Sequence, residues 1–171
     1  MNKKGFSLIE MLVVMIIVSL LLVLVMPAIV NVYTSVKRNN LSSKITHIET
    51  EALKYANEYK DDIKNQTCVN YSMEDLVQKG IIASDNKGKD EIINPDTGNP
   101  FTGYVRICYC KLRLDVSANY VEEYNPNTYY HKGDKIIYNN IIYTCIKDAE
   151  PNKLLSGGTV NTNYYQVIEC N

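Results

Sequence analysis

Tryptophan is absent from these 171 residues, phenylalanine occurs twice, and histidine only as His47 and His131. Neither histidine lies near a Cys-x-x-Cys pair, so no zinc site of ordinary spacing can be assembled and no metal is expected. No grouping of Ser, His and Asp occurs, no glycine-rich loop is available to cradle a phosphate, and the paired carboxylates Asp61-Asp62 and Glu122-Glu123 read as solvated surface. The chain is therefore expected to catalyse nothing and to carry no cofactor. Basic and acidic residues nearly balance, 18 against 19. A chain without clustered positive charge is a poor nonspecific binder of phosphate backbones, so DNA is not an expected partner. Charge of either sign is missing altogether from Met11 to Val36.

That uncharged stretch organises the rest. Met11 to Val30 is aliphatic apart from Ser19 and Pro27, and about 20 such residues in a helix cover a hydrocarbon core roughly 30 Å thick. It can span a bilayer once. Glu10 is the one charge between Gly5 and Val36, and a carboxylate at the edge of an apolar helix calls for a partner. An ordinary secretory signal would have a shorter apolar region followed by a small-residue cleavage site, and a plain membrane anchor would not need Glu10.

Lys3-Lys4-Gly5-Phe6-Ser7-Leu8-Ile9-Glu10, followed by an aliphatic helix containing Pro27, resembles the precursor of a type IV pilin or pseudopilin. The resemblance implies cleavage between Gly5 and Phe6 by prepilin peptidase, methylation of the new Phe6 amine, and polymerisation through the apolar helix. Glu10 would then meet the Phe6 amine of a neighbouring subunit, a pairing that sets register even where its net stabilisation is small. It also implies a bend or melted turn at Pro27, and a single-pass precursor with its leader in the cytoplasm and its body outside. Charge alone signals the orientation weakly, because Lys37 and Arg38 beyond the span match Lys3 and Lys4 before it. Losing Lys3 and Lys4 with the leader leaves 16 basic residues against 19 acidic, a formal charge of −3.

About 140 residues remain for the body, enough for one modest domain or two small ones. From Val32 the apolar positions Val36, Leu41, Ile45, Ile48, Ala52, Tyr55, Tyr59 and Ile63 recur at helical spacing, which predicts one helix from Phe6 to about Asn65 with its apolar face on a sheet. Lys44, Glu51, Lys54 and Glu58 lie opposite as a wet surface. Asn65 to Asn70 reads as a loop. Ser72 is a predicted N-cap of a short helix stopped by Gly80, and the turn-rich Ser84 to Asp90 and Asn94 to Pro100 follow. Gly103 to Val116 reads as a strand, on which Leu112, Leu114 and Val116 alternate with polar residues. Tyr104 and Tyr109 are expected to pack on it.

Composition shifts at Ser117. Lys135 to Tyr138 and Ile141 to Ile146, joined by Asn139-Asn140, predict a hairpin with a two-residue turn. With its flanks, Tyr124, Tyr130, Gly133-Asp134, Tyr138-Asn139, Tyr143 and Tyr165-Gln166-Val167, this tail resembles the small carbohydrate-binding modules of chitinases and cellulases. Tyr124 and Tyr165 stand where those modules carry tryptophan, and Asn140 replaces their turn glycine. The resemblance implies a glycan site at Tyr124, Tyr130 and Tyr165, since a tyrosine ring can stack on a pyranose; the competing reading makes these rings core and the hairpin an extension of the sheet. All five cysteines, Cys68, Cys108, Cys110, Cys145 and Cys170, lie in the body, where disulfides can form and one must stay unpaired. Either Cys108 or Cys110 can take Cys68, and Cys145 with Cys170 could close the tail.

The expected architecture is an α+β lollipop: leader 1–5, polymerisation helix 6–32, a globular part 33–117 with a small antiparallel sheet, and a β module 121–171. The expected role is a minor or tip pilin, with other pilins, prepilin peptidase, the assembly platform and the membrane as partners, and a glycan as ligand. The alternatives are a purely structural subunit or type II secretion pseudopilin, and a competence pseudopilin that contacts DNA. The precursor would sit in the cell membrane and the assembled subunit in an extracellular pilus.

Overall fold

The computed structural model describes residues 7–64, 68–110, 115–156 and 159–168. Helix α1 (Leu8–Glu58) runs 51 residues without interruption through Pro27, about 75 Å at helical rise. No turn is melted at the proline. Its first half is left bare by the described residues: large apolar side chains from Leu8 to Val36 are exposed. The second half is amphipathic as its spacing dictates, with Ile48, Ala52 and Ala56 fully buried and Leu41, Ile45, Leu53 and Tyr55 packed beside them. After a break at Tyr59, α2 (Lys60–Lys64) adds Ile63 to the same core.

A three-stranded antiparallel sheet covers this helical face, made of β1 (Cys68–Ser72), β2 (Tyr104–Cys110) and β3 (Asp115–Glu123). Val105, Ile107, Tyr109, Val116 and Tyr120 point at α1, and each fully buried aliphatic side chain contributes about 1.5–3 kcal/mol. Two expectations change here. Cys68–Ser72 is an edge strand rather than a loop, because it pairs residue for residue with β2 and is fixed to it by the Cys68–Cys108 disulfide between directly opposed residues. Gly103–Val116 is two strands of a hairpin rather than one; Leu112 and Leu114 lie outside the described residues. Gly103 is required where it stands, since a Cβ there would collide with the Val121 carbonyl and the Tyr120 ring.

Between β1 and β2, α3 (Met73–Gln78) starts at Ser72, whose hydroxyl accepts the Asp75 N–H while the Asp75 carboxylate accepts the Ser72 N–H at 2.9 Å. Gly80, with φ +69°, lets the chain leave it. The connector to β2 is strapped to α1: Lys44 Nζ meets Asp85 at 2.8 Å and Lys37 Nζ donates to the Asp96 carbonyl at 2.8 Å. Lys44 is thus a clasp, not part of an idle wet surface.

The sheet continues past β3 into β4 (Lys135–Tyr138), β5 (Ile141–Cys145) and β8 (Tyr165–Val167), in the order β1-β2-β3-β4-β5-β8, while β6 (Leu155–Ser156) and β7 (Thr159–Val160) form a separate ribbon. β4 and β5 are the expected hairpin. Asn139 and Asn140 take φ of +49° and +64°, the left-handed pair that a two-residue turn of this twist demands. The join between the two halves is narrow: β3 and β4 are parallel and share only Glu122↔Ile136 and Glu123↔Ile137. Three further contacts reinforce it. Val121 packs with Ile137 and Ile142, Arg106 donates to Asn140 Oδ1 at 2.7 Å, and Lys135 Nζ reaches both Glu49 and Asn119. Residues 118–120, between the expected globular part and module, fall inside β3.

Candidate functional site

Two regions carry the residues singled out by sequence, and they lie at opposite ends of the chain. At the amino end, Ser7 caps α1: its hydroxyl accepts the Glu10 N–H at 3.2 Å, and Glu10 Oε2 accepts the Ser7 N–H at 2.9 Å. This reciprocal arrangement satisfies two of the four N–H groups a helix start leaves open. Glu10 therefore has a partner within its own chain, which the reading of a lone charge overlooked; the Ser-x-x-Glu spacing was the available signal. Both side chains face solvent. Gly5 and Phe6 lie outside the described residues. Pro27 sits within the bare part of the helix, between Met26 and Ala28.

At the other end the tyrosines form a small core. Tyr165 is 1% exposed and Tyr130 5%, packed with Ile136, Tyr143, Cys145, Ala149 and Leu154. Tyr124 is half-buried against them, its ring stacked on Tyr130 at 5.8 Å and edge-on to Tyr138 at 5.9 Å. The Tyr130 hydroxyl accepts the Asn125 N–H at 2.7 Å. The Tyr165 hydroxyl has no hydrogen-bond partner among the described residues, and burial pushes its pKa well up. Neither Tyr130 nor Tyr165 presents a ring face to solvent, so the expected stacking platform is not assembled at these positions. Their aromatic faces are consumed in closing a core that has no tryptophan to fill it. The exposed ring nearby is Tyr129, edge-on to His131 at 4.8 Å.

The cysteines sort differently from one expectation. Cys68 pairs with Cys108, and Cys110 is also disulfide-bonded. Cys145 is free and buried, so the closure of the tail through Cys145 and Cys170 is not formed; Cys170 itself lies outside the described residues. The Cys145 thiol lies 2.9 Å from the Lys147 carbonyl, and burial pushes its pKa up to about 11. It is a protonated, inert core group. No cluster of His, Cys, Asp and Glu suited to a metal is found among the described residues.

Comparison with known proteins returns to the amino end. Residues 1–26 match the model of the prokaryotic N-terminal methylation motif. A ComG operon protein 3 homolog of Bacillus licheniformis is 32% identical over 66 residues, which make up 39% of this chain and 68% of that protein. The chain belongs to the type IV pilin and pseudopilin family. No solved structure matches it. As a pilin-like subunit it has the family's division of labour visible in its geometry: a capped apolar rod that its own body leaves bare, and a folded head that covers only the rod's second half. Beyond β3 the head's sheet continues into β4, β5 and β8.

Proposed function

We propose that this pilin-like chain is a structural subunit of a type IV pilus, cleaved between Gly5 and Phe6, methylated on Phe6, and polymerised through α1. The observation that carries this is the bare first half of α1, some 29 residues from Leu8 to Val36 with large apolar side chains exposed along it. In a bilayer that surface is solvated by lipid, and in a filament by the same helix of neighbouring copies. A head-to-tail contact of this kind does not close on itself and generates an open helical assembly. The assembly platform and other pilins are the partners this requires.

A second reading, a subunit of a competence or secretion pseudopilus, draws on the likeness to the ComG operon protein 3 homolog. Glycan adhesion at a filament tip draws less support, because two of its three rings are interior. Replacing Gly5 by Val should leave an uncleaved precursor in the membrane, and wild-type filaments sheared from cells should yield a chain beginning at methylated Phe6 by mass spectrometry. Mature protein beginning near Asn31, or absence of the subunit from every surface filament, would overturn the proposal. Loss of DNA uptake or of protein secretion on deletion, with no long filaments seen, would favour the second reading.

A further inference from the structure

Lys135, at the first position of β4, places its Nζ 2.6 Å from Glu49 Oε1 on α1 and 2.9 Å from Asn119 Oδ1 on β3. Glu49 Oε1 also accepts the Tyr120 N–H at 2.8 Å, which holds the carboxylate beside the Asn119 side chain. The three residues come from three elements and are far apart in sequence. Lys135 and Glu49 are 24% and 19% exposed, and Ile48, Tyr120 and Ile136, their chain neighbours, are buried. An amine, a carboxamide and a carboxylate are thus held in contact at the edge of the core.

We propose that Lys135 and Asn119 form an intramolecular amide cross-link, with Glu49 as the proton carrier. The chemistry needs no cofactor and no oxidant. A proton passes from Lys135 Nζ to Glu49 along their hydrogen bond, leaving a neutral amine. The amine attacks Asn119 Cγ, and the Nζ–Cγ bond forms. Glu49 carries the protons lost by Nζ to Asn119 Nδ2, the Cγ–Nδ2 bond breaks, and ammonia leaves, to be released as ammonium. Lysine ammonium and carboxamide become a secondary amide and ammonium, so charge and atoms balance and Glu49 ends as it began. Such a reaction is slow between free groups; positioning the reactants in one fixed contact supplies the acceleration, and the carboxylate supplies general acid–base help.

The location gives the bond a use. β3 and β4 share two residue pairs, and a covalent link from Asn119 to Lys135 bolts the second half of the sheet to the first just before that short ladder begins. An ordinary ion pair at the same place would leave the join dependent on a partly exposed, non-covalent contact.

The test is the mass of the mature full-length chain, extracted in detergent and reduced. The expected result is a mass lower than the methylated sequence by one ammonia. Digestion with trypsin should then fail to cut after Lys135 and should yield a branched peptide joining the segments that hold Asn119 and Lys135. Lys135→Arg keeps a cation against Glu49 but offers no amine, and should restore the full mass; Glu49→Gln should greatly slow or abolish the branch while leaving both reacting groups in place. Wild-type protein, aged at neutral pH, whose Lys135 peptide remains entirely linear would overturn the proposal. A branched peptide that forms equally well in Glu49→Gln would overturn the role of Glu49.

Discussion

Glu10 serves the start of its own helix before any neighbour arrives, and this changes what its substitution measures. Glu10→Ala removes both the cap and the charge. Glu10→Gln keeps an oxygen that can accept the Ser7 N–H, as glutamine does in a capping box, yet removes the carboxylate a neighbouring amine would need. We expect Glu10→Gln to be processed normally and to enter sheared filaments poorly, whereas Ser7→Ala, which costs about 1 kcal/mol of capping, should still assemble; immunoblots of sheared and membrane fractions separate the two, and full incorporation of the glutamine variant would assign Glu10 to capping alone. Tyr165 offers the complementary case at the far end of the chain. Because its ring is interior, Tyr165→Ala should cost about 3–5 kcal/mol through lost burial and a cavity, while Tyr124→Ala, half-exposed, should cost less. Thermal melts decide this, and a near-silent Tyr165→Ala would place the ring at the surface. The same variant should expose Cys145, whose thiol is held protonated by burial, to oxidation.

Among the elements, the connector between α3 and β2 has little regular structure and depends on its clasps to α1. Burial acts to raise the Asp85 carboxyl, but the Lys44 ammonium and the Ile93 N–H outweigh it and hold the group below the usual carboxylate range. A depressed folded-state pKa gives stability that is present above the unfolded value of about 3.9 and is lost as pH falls through the folded one. Lys44→Met should therefore lower stability at pH 7 by up to about 1 kcal/mol, and the gap between variant and wild type should close in melts carried out near pH 3. A gap unchanged with pH would mean that the lysine stem, not its charge, matters. The elements that could be read in advance were those whose signal is local. The helical spacing of Ile48, Ala52 and Tyr55, the Ser72 cap, and the Asn139-Asn140 turn are each written in a few adjacent residues. The β1 strand was not legible, because Cys68–Ser72 is a strand only by virtue of β2 beside it. The division of Gly103–Val116 between β2 and β3 was not legible either, since no glycine or proline stands between Gly103 and Val116 to announce it. Burial of Tyr130 and Tyr165 depends on which side of a sheet six segments choose, and the meeting of Glu49, Asn119 and Lys135 across separations of 16 to 86 residues leaves no trace in spacing.

For the molecule as a whole, the division between rod and head predicts a simple separation of behaviours. A chain beginning at Thr34 retains the buried stretch of α1 from Leu41 onward and every strand, so it should be a folded monomer in buffer without detergent, by sedimentation and by its melt. The full chain should require detergent. Aggregation of the truncated chain would show that the first half of α1 supports the head after all. The bare helix also fixes where a subunit can go. Apolar surface in water costs about 25 cal/mol for each Å², and some 29 residues of it leave the free monomer in water with no appreciable population. Under the assembly proposed above, lipid and filament are the two surroundings that cover this surface, and a subunit should pass from one to the other directly, without its helix crossing water.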